Sequence, residues 1–500
     1  MSAVSDLAAQ RKKDAKDAAV YVAARSLAGM LLLVTYVIAL HKYSEIEFRY
    51  VAAVLLVYET AIALGSLGLP DAVFYFIGKT PERAAAIVRQ VSTLLLGAAI
   101  PVTLVGAIAA VVMSDAEVDL VAAIPWLALV ILIELPTQPA VNQLIAHGYA
   151  GTASALYFAF AALRTGAAVA PLVLPVSVTI IPVAMAVLGI SRLAAHLAIL
   201  WKLYPLAPAE KWFDKLQMKT ILLWAIPAGL AATVGKINPQ VDKYTVKLML
   251  GGEVFSHYTA AALEIPLVTM IPYAIGAVMQ VRYVRLFAQG NLVELRSLWY
   301  SNVEKTIAVV LPLAVLLIVT GPEVVLLLAS EKHAAGATVP FQIFTVVLLH
   351  RVAAYGPMLQ ATNQTPVLVK TSLLILGSNL ILTVPCVLLF GAYGAAIATV
   401  VANVPAWLVT LDRIGNAMGG GTSIALPWRF YLRGLLVTGG LGLGLWLARP
   451  YLHGMSTAAR LGAMSGIYIG AYLVVGRLTR VLTAADLVQL RRWVTFGVWK

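Results

Sequence analysis

Long apolar runs separated by short polar segments fill most of the chain. About 20 consecutive apolar residues are enough for a helix to cross a bilayer, and runs of this length recur along the whole sequence. They predict an all-α polytopic membrane protein with about 14 transmembrane helices, near 18–40, 48–68, 88–112, 120–146, 152–174, 178–201, 217–237, 254–281, 303–328, 338–360, 367–390, 393–412, 428–448 and 457–476.

Composition supports this reading and removes most other classes. Hydrophobic residues make up 61% of the chain and charged residues 12%, about half the charged share of a soluble protein. The single cysteine, Cys386, excludes a disulfide framework and a cysteine-ligated metal site. In a polytopic protein, the net charge of +13 is typical of basic cytoplasmic loops. We expect no nucleic-acid partner.

The distribution of Lys and Arg predicts the orientation. With the N-terminus inside, the inner segments hold the large majority of the basic loop residues, as the positive-inside bias requires. Both termini are therefore expected in the cytoplasm. Residues 1–17 form a basic tail, and residues 477–500 are predicted as an amphipathic surface segment, because Thr483 to Asp486 resembles a capping box.

Motifs for catalysis are not found in the sequence. It has no Walker A loop, GxSxG, HExxH or CxxC, and its histidines lack metal-ligand spacing. No cofactor is expected beyond a coupling proton or sodium ion. Short loops favour a transporter over an enzyme. A membrane polysaccharide polymerase or ligase remains the alternative from the enzyme class.

A short internal repeat predicts two related halves. Residues 50–55, YVAAVL, resemble residues 258–263, YTAAAL, six predicted helices later. Such a parallel repeat indicates two similar bundles with the substrate between them. The predicted organisation is an N-terminal six-helix lobe at 18–201, a cytoplasmic linker at 202–216, a C-terminal six-helix lobe at 217–412 and two additional helices at 413–476.

Several segments carry a family resemblance. They are the loop HKYSEIEFRY at 41–50, the end of the second helix at Gly65–Pro70 (GSLGLP), the motif QVDKY at 240–244 before GGEVFSHY at 251–258, and GAYGAAIAT at 391–399. Together they resemble the Wzx-type polysaccharide flippases of the multidrug/oligosaccharidyl-lipid/polysaccharide exporter (MOP) superfamily.

The resemblance implies a fold and a function. The fold would have two six-helix lobes plus two helices and work by alternating access. The function would be ion-coupled transfer of an undecaprenyl-diphosphate-linked oligosaccharide from the inner to the outer leaflet. The location would be the bacterial cytoplasmic membrane, in contact with membrane lipids, and the partners would include a polysaccharide polymerase and glycosyltransferases.

Basic residues inside or beside predicted spans are the candidates for binding a diphosphate. Charged groups at this depth are costly and mark pairs or pathways, and guanidinium groups donate bidentately to phosphate oxygens. The predicted substrate-binding residues are Arg25, Arg164, Lys236, Arg282, Arg285 and Arg351. Arg192 is interpreted as structural, Arg433 as an interfacial anchor, and Arg351 as lying deep in the tenth helix.

Acidic residues within or near the spans are the candidates for ion coupling. Glu59, Glu134, Asp242 and Glu264 are predicted in this role, since buried carboxylates can carry a proton or hold sodium; pairing with nearby cations is the alternative. Glu134 and Arg164 lie equally far from Tyr149 in the turn between their helices, which predicts that they pair. A drug exporter of the same superfamily stays open as an alternative function, although its cationic cargo would favour an acidic cavity.

Overall fold

The computed structural model describes residues 2–204, 214–262, 279–280 and 282–482. Packing divides the chain into two compact units, Met1–Ser256 and His257–Lys500. The predicted lobe boundary at 202–216 stays a prediction, and the amphipathic segment beyond residue 482 lies outside the described residues, as does Glu264. The packing places the helix that follows residue 214 in the first unit.

The first unit is a helical bundle with several broken spans. Its helices are α1 (Ser2–Lys42), α2 (Glu45–Ser66), α3 (Leu69–Lys79), α4 (Ala84–Met113), α5 (Ile124–Thr137), α6 (Pro139–Ala146), α7 (Ala150–Val173), α8 (Ile181–Leu203) and α9 (Lys215–Leu250), and α10 (Gly252–Ala261) crosses into the second unit.

In the described part of the second unit, a helical stretch at 282–288 precedes seven further α-helices. These are α11 (Leu292–Val319), α12 (Gly321–Val346), α13 (Tyr355–Ala361), α14 (Thr365–Phe390), α15 (Ala392–Ala417), α16 (Trp428–Ala448) and α17 (Thr457–Leu478).

The span count confirms the polytopic all-α class. Among the described residues, twelve segments are long and apolar enough to cross a membrane. Helix α9 makes a thirteenth, bent by 50° between Lys215–Pro227 and Gly229–Leu250. The predicted span 254–281 falls mostly outside the described residues. This total agrees with about 14 transmembrane helices.

Three predicted boundaries were wrong. The ninth and tenth spans were placed at 303–328 and 338–360, but the chain turns at Thr320, and α12 runs from Gly321 to Val346 with Pro322 in its first turn. The predicted loop at 329–338 is helical, apart from a kink at Ser330 with φ of 65°. The seventh helix does not end at Asn238-Pro239, since α9 continues to Leu250. Polar residues inside membrane helices were mistaken for loops in these cases.

The first unit has two ends that its side-chain contacts define. Arg49, Asp115 and Lys247 meet at one end, which we call the distal end. His147 and Tyr204 meet at the opposite, proximal end, where the Tyr204 hydroxyl lies 3.2 Å from His147 Nδ1. By the predicted orientation, the distal end faces outward and the proximal end faces the cytoplasm.

Three spans of the first unit are interrupted. Leu67 and Gly68 have positive φ between α2 and α3. Helix α5 ends at Thr137 and α6 begins at Pro139, since a proline removes a backbone donor and breaks the helical hydrogen-bond pattern. Helix α9 bends beside Pro227. Interrupted helices free backbone carbonyls that must find donors, and the Asn142 side chain donates to the Pro70 carbonyl at 2.8 Å.

The α2–α3 break packs directly against α9. A Cβ on Gly68 would lie 2.5 Å from the Ala225 carbonyl oxygen, and a Cβ on Gly229 would overlap the backbone of Gly68. Only glycine permits backbones to approach so closely. The GSLGLP motif therefore serves as a crossing point of two interrupted helices.

Candidate functional site

A cluster of charged side chains lies in the middle of the first unit. Its members are Glu59 on α2, Glu134 on α5, Arg164 on α7 and Arg192 on α8, and Tyr58 lies among them. Each charged residue is at least six positions from the ends of its own helix except Glu134, which lies one turn before the end of α5. The cluster thus holds two carboxylates and two guanidinium groups, and its formal charge is balanced.

Glu134 is paired with Arg192. Arg192 Nη1 lies 3.4 Å from Glu134 Oε1, and both side chains are largely buried, with exposures of 15% and 14%. The Tyr58 hydroxyl donates to the second carboxylate oxygen of Glu134. The ring of Phe160 covers the Arg192 guanidinium, at 5.0 Å between its carbon and the ring centroid. Cation–π contact and ion pairing together hold Arg192 in place.

Arg164 is not the ion-pair partner of Glu134 that the sequence predicted. Its guanidinium carbon lies 5.8 Å from the Tyr58 ring centroid, and it interacts electrostatically with Glu59 and Glu134. Equal distance from the α6–α7 turn did bring Glu134 and Arg164 to one level. The rotation of each helix about its axis cannot be deduced from sequence spacing. Here it directs the Glu134 carboxylate toward Arg192 on α8.

Glu59 connects the cluster to α9. Gln240 Nε2 donates to Glu59 Oε2 at 3.4 Å, and Lys243 Nζ donates to Gln240 Oε1 at 3.3 Å. One turn further, the Tyr244 hydroxyl donates to Thr60 at 3.3 Å. The QVDKY motif is therefore part of a helix–helix interface of the first unit. Asp242 in this motif is buried.

A second ionic network lies at the distal end of the first unit. Arg49 donates to Asp115 at 3.0 Å and to Glu117 at 2.5 Å, and Lys247 also donates to Asp115. Burial raises the pKa of Asp115, but hydrogen bonds from Lys247 and from the backbone outweigh it and lower the pKa to about 2. Gly252 leaves room for the guanidinium, because a Cβ there would overlap it.

The predicted substrate-binding cations divide into two groups. Arg164 is half-buried within the charge cluster. The others are exposed: Arg25, Lys236, Arg282, Arg285 and Arg351. Arg25 lies on α1 with its guanidinium carbon 5.9 Å from the Tyr21 ring centroid. The roles predicted for these residues stay predictions.

Arg351 does not lie deep in a helix, contrary to the sequence interpretation. It follows a short 3₁₀ turn at Val347–Leu349 and precedes α13. Two tyrosine hydroxyls donate to the backbone carbonyls that this break frees. Tyr355 donates to the His350 carbonyl at 2.8 Å, and Tyr431 donates to the Leu349 carbonyl at 2.9 Å. Two tyrosine hydrogen bonds thus hold the backbone directly before Arg351.

Sequence reasoning missed Tyr58 and did not predict the partner of Arg192. Tyr58 contacts both Glu134 and Arg164, so it is the hub of the cluster. The available signal was the pair Tyr58-Glu59 in the middle of an apolar run. For Arg192, the signal was the spacing to His196, which places two polar side chains on one face of α8.

The comparisons with known proteins concern the fold. No protein-family model matches the sequence, and no curated protein matches it. Solved structures do match. A structure of the lipid II flippase MurJ in an inward closed conformation aligns with 91% of this chain and 98% of its own, at 13% identity and a TM-score of 0.69.

Two MATE transporters also match. An inward-facing MATE family transporter of the MOP superfamily aligns with 78% of this chain and 95% of its own, at 15% identity and a TM-score of 0.59. The eukaryotic MATE transporter AtDTX14 aligns with 83% and 97%, at 14% identity and a TM-score of 0.54. The chain shares its fold with these MurJ and MATE structures. At such low identity the likeness concerns the fold alone, and it does not single out the Wzx branch.

Proposed function

We propose that the protein is a flippase of the MOP superfamily, not an enzyme, and that it moves an undecaprenyl-diphosphate-linked oligosaccharide from the inner to the outer leaflet of a bacterial cytoplasmic membrane. Both termini would lie in the cytoplasm. The observation that carries this proposal is the set of exposed basic side chains on its membrane segments, above all Arg25, Lys236 and Arg351. Exposed cations favour an anionic cargo such as a diphosphate.

Coverage of the matched structures supports a flippase over a drug exporter. The MurJ alignment spans 91% of this chain, whereas the two MATE alignments leave about a fifth of it unmatched. The MATE likeness keeps a multidrug exporter as the second candidate. Cationic drugs would be repelled by the exposed arginines and lysine, which disfavours that candidate. On this proposal, the partners are membrane lipids, a polysaccharide polymerase and glycosyltransferases.

The charge cluster supplies a mechanism for ion coupling. Glu59 and Glu134 balance Arg164 and Arg192, so the resting cluster is neutral. A proton on either carboxylate leaves one uncompensated positive charge in a medium of low dielectric constant. An anionic headgroup can balance that charge, so proton and cargo binding would favour each other. By linkage, the two ligands strengthen each other's binding by the same factor.

Flipping of a defined cargo tests the proposal. The full chain is reconstituted in vesicles with a fluorescent undecaprenyl-diphosphate disaccharide, and a membrane-impermeant quencher reports which leaflet holds the label. Losing a charged hydrogen bond costs about 1.5–3 kcal/mol, so we expect Arg25→Gln, Lys236→Gln and Arg351→Gln each to lower the rate about tenfold or more.

The matched control is Arg433→Gln, which changes an exposed basic residue that the sequence marks as an interfacial anchor. It should leave the rate unchanged. An equal loss of flipping rate in Arg433→Gln would show that removing any exposed positive charge slows transport, and would contradict a specific role for the three residues. Transport of a cationic dye without any movement of the labelled lipid would replace the flippase with the drug exporter.

A further inference from the structure

Polar groups continue from the charge cluster toward the proximal end of the first unit. His196 lies one helical turn after Arg192 on α8 and is 2% exposed. Its Nε2 lies 3.2 Å from the Ser92 hydroxyl on α4, and its Nδ1 lies 3.4 Å from Gln143 Nε2 on α6. Three helices therefore meet at one buried imidazole.

The same network reaches the surface through α6. The Gln143 backbone carbonyl lies 3.0 Å from His147 Nδ1, and this nitrogen is 3.2 Å from the Tyr204 hydroxyl. Arg89 Nη2 donates to the Tyr204 carbonyl at 3.0 Å. His147 is exposed at the proximal end. Polar groups thus extend from Glu134 in the bundle centre to the proximal surface.

Two buried polar atoms along this route have no hydrogen-bond partner among the described residues. They are Arg192 Nε and Gln143 Oε1. Leaving such an atom unsatisfied is costly, and buried polar groups normally find a partner or an ordered water. Polar surroundings with several donors and acceptors are the kind of site that holds water. The route is therefore suited to a hydrated hydrogen-bonded chain.

We propose that His196 is a proton-relay residue, through which Glu134 exchanges a proton with the proximal surface. This inference rests on the coupling role given to the charge cluster above. The imidazole accepts a proton at one ring nitrogen from water on the proximal side and releases the proton on the other nitrogen toward Glu134. The carboxylate becomes a carboxylic acid, and the imidazole returns to its neutral form as its other tautomer.

The charges around His196 set the conditions of this transfer. Arg192, on the same helix, acts on it electrostatically, while α4 and α6 present the neutral Ser92 and Gln143. Arg192 keeps its own proton, so the transferred proton must pass beside the guanidinium through water. Neutralising Glu134 weakens its pair with Arg192. Proton entry through the relay thereby leaves one guanidinium of the cluster without a compensating negative charge.

Proton uptake by the purified full-length protein tests the relay. In weakly buffered detergent solution, a rapid drop in pH is followed with a soluble pH dye. Glu134→Gln should remove one proton from the uptake, which tests the coupling site. His196→Gln retains hydrogen bonding but not protonation, so it should leave the number of protons unchanged and slow their uptake at least tenfold.

His350→Gln, at a histidine of the second unit, is the matched control and should change neither quantity. If His196→Gln does not fold, Ser92→Ala removes one hydrogen bond of the relay and should also slow the uptake. Wild-type rates in both variants would overturn the relay and leave the coupling site intact. Unchanged uptake in Glu134→Gln would overturn the coupling site itself.

Accessibility gives an independent readout that requires no transport. In a Cys386→Ser background, Ser92→Cys should react with a small soluble thiol reagent from the same membrane side as Lys215→Cys, an exposed position at the proximal end. It should not react from the side that labels Glu117→Cys at the distal end. A correctly folded Ser92→Cys protein that reacts from neither side would contradict a hydrated route.

Discussion

The two units differ in the kind of polar group that they bury among their helices. In the first unit, Glu134 and Arg192 form a largely buried ion pair in the bundle centre. In the described part of the second unit, the buried Glu323 pairs with the half-buried Arg449 at helix ends, at 2.9 Å. Its core instead uses aromatic residues whose polar atoms reach carbonyls, such as Trp299 Nε1 donating to the Ala425 carbonyl at 2.7 Å.

If the charge cluster couples ions as proposed, the first unit is the one whose function requires buried charge. A buried pair gives little net stability, because desolvation offsets much of the attraction. In the part of the second unit that the structure describes, aromatic side chains supply much of the helical core, and the pair of Glu323 with Arg449 lies at helix ends. The first unit keeps four charged groups together, so we infer that their value lies in coupling.

Breaking the central ion pair should produce the largest effect. Glu134→Gln and Arg192→Gln each leave a buried charge without its partner, which typically costs about 3–5 kcal/mol. Thermal unfolding in detergent should show a large drop in Tm for each single variant. The double variant should be harmed less than the sum of the two.

The comparison between units supplies the control for this pair. Lys332→Gln in the second unit removes an exposed charge of α12 and should leave Tm nearly unchanged. Additive losses in the Glu134 and Arg192 variants would mean that the 3.4 Å contact contributes no coupling energy. The two units would then differ in where their charged residues lie, and not in the energy of a direct ion pair.

The interrupted helices should give the next largest effect. Gly229→Ala places a methyl group against the backbone of Gly68, and overpacking of this kind costs about 1–3 kcal/mol. Gly235→Ala, on the same helix, meets nothing within 4 Å. It should stabilise the protein slightly, since alanine favours a helix by roughly 1 kcal/mol over glycine.

Tm of the two alanine variants decides this point. A loss for Gly229→Ala and a gain for Gly235→Ala would show that the α2–α3 break and α9 are tightly apposed. A higher Tm for both variants would mean that α9 and the α2–α3 break can move apart to accommodate the added methyl group without a loss of stability. The interruptions in the first unit would then be looser than the tyrosine-capped break after Leu349.

Hydropathy predicted the fold class because the membrane requires it. Every span must be long and apolar enough to cross hydrocarbon, and this requirement is visible without any tertiary information. Boundaries failed where polar residues lie within helices. Glu331, Lys332 and His333 resembled a loop, yet they lie on α12, where His333 is fully buried.

The candidate site was only partly accessible to sequence reasoning. Glu59 and Glu134 were recognised because a carboxylate in an apolar run is costly. Their partners depend on the rotation and packing of helices that are distant in the sequence. For that reason Arg192 replaced Arg164 as the ion-pair partner of Glu134, and Tyr58 remained unnoticed.

The distal network of the first unit offers the smallest expected effect. Its pKa of about 2 keeps Asp115 charged well below the ordinary range of a carboxyl group. A depressed pKa contributes stability above the unfolded value near 4, and this contribution is lost as the pH falls toward 2. The side chain of Asp115 is 29% exposed, so solvent screening reduces the contribution to about 1 kcal/mol.

Comparing wild type with Asp115→Asn across pH 6 to 2 measures that contribution. The wild type should be more stable by about 1 kcal/mol above pH 4, and the difference should shrink as the pH approaches 2. Asp119→Asn, in the same loop but outside the ionic network, should show no such trend. A difference that stays constant down to pH 2 would assign the effect to packing.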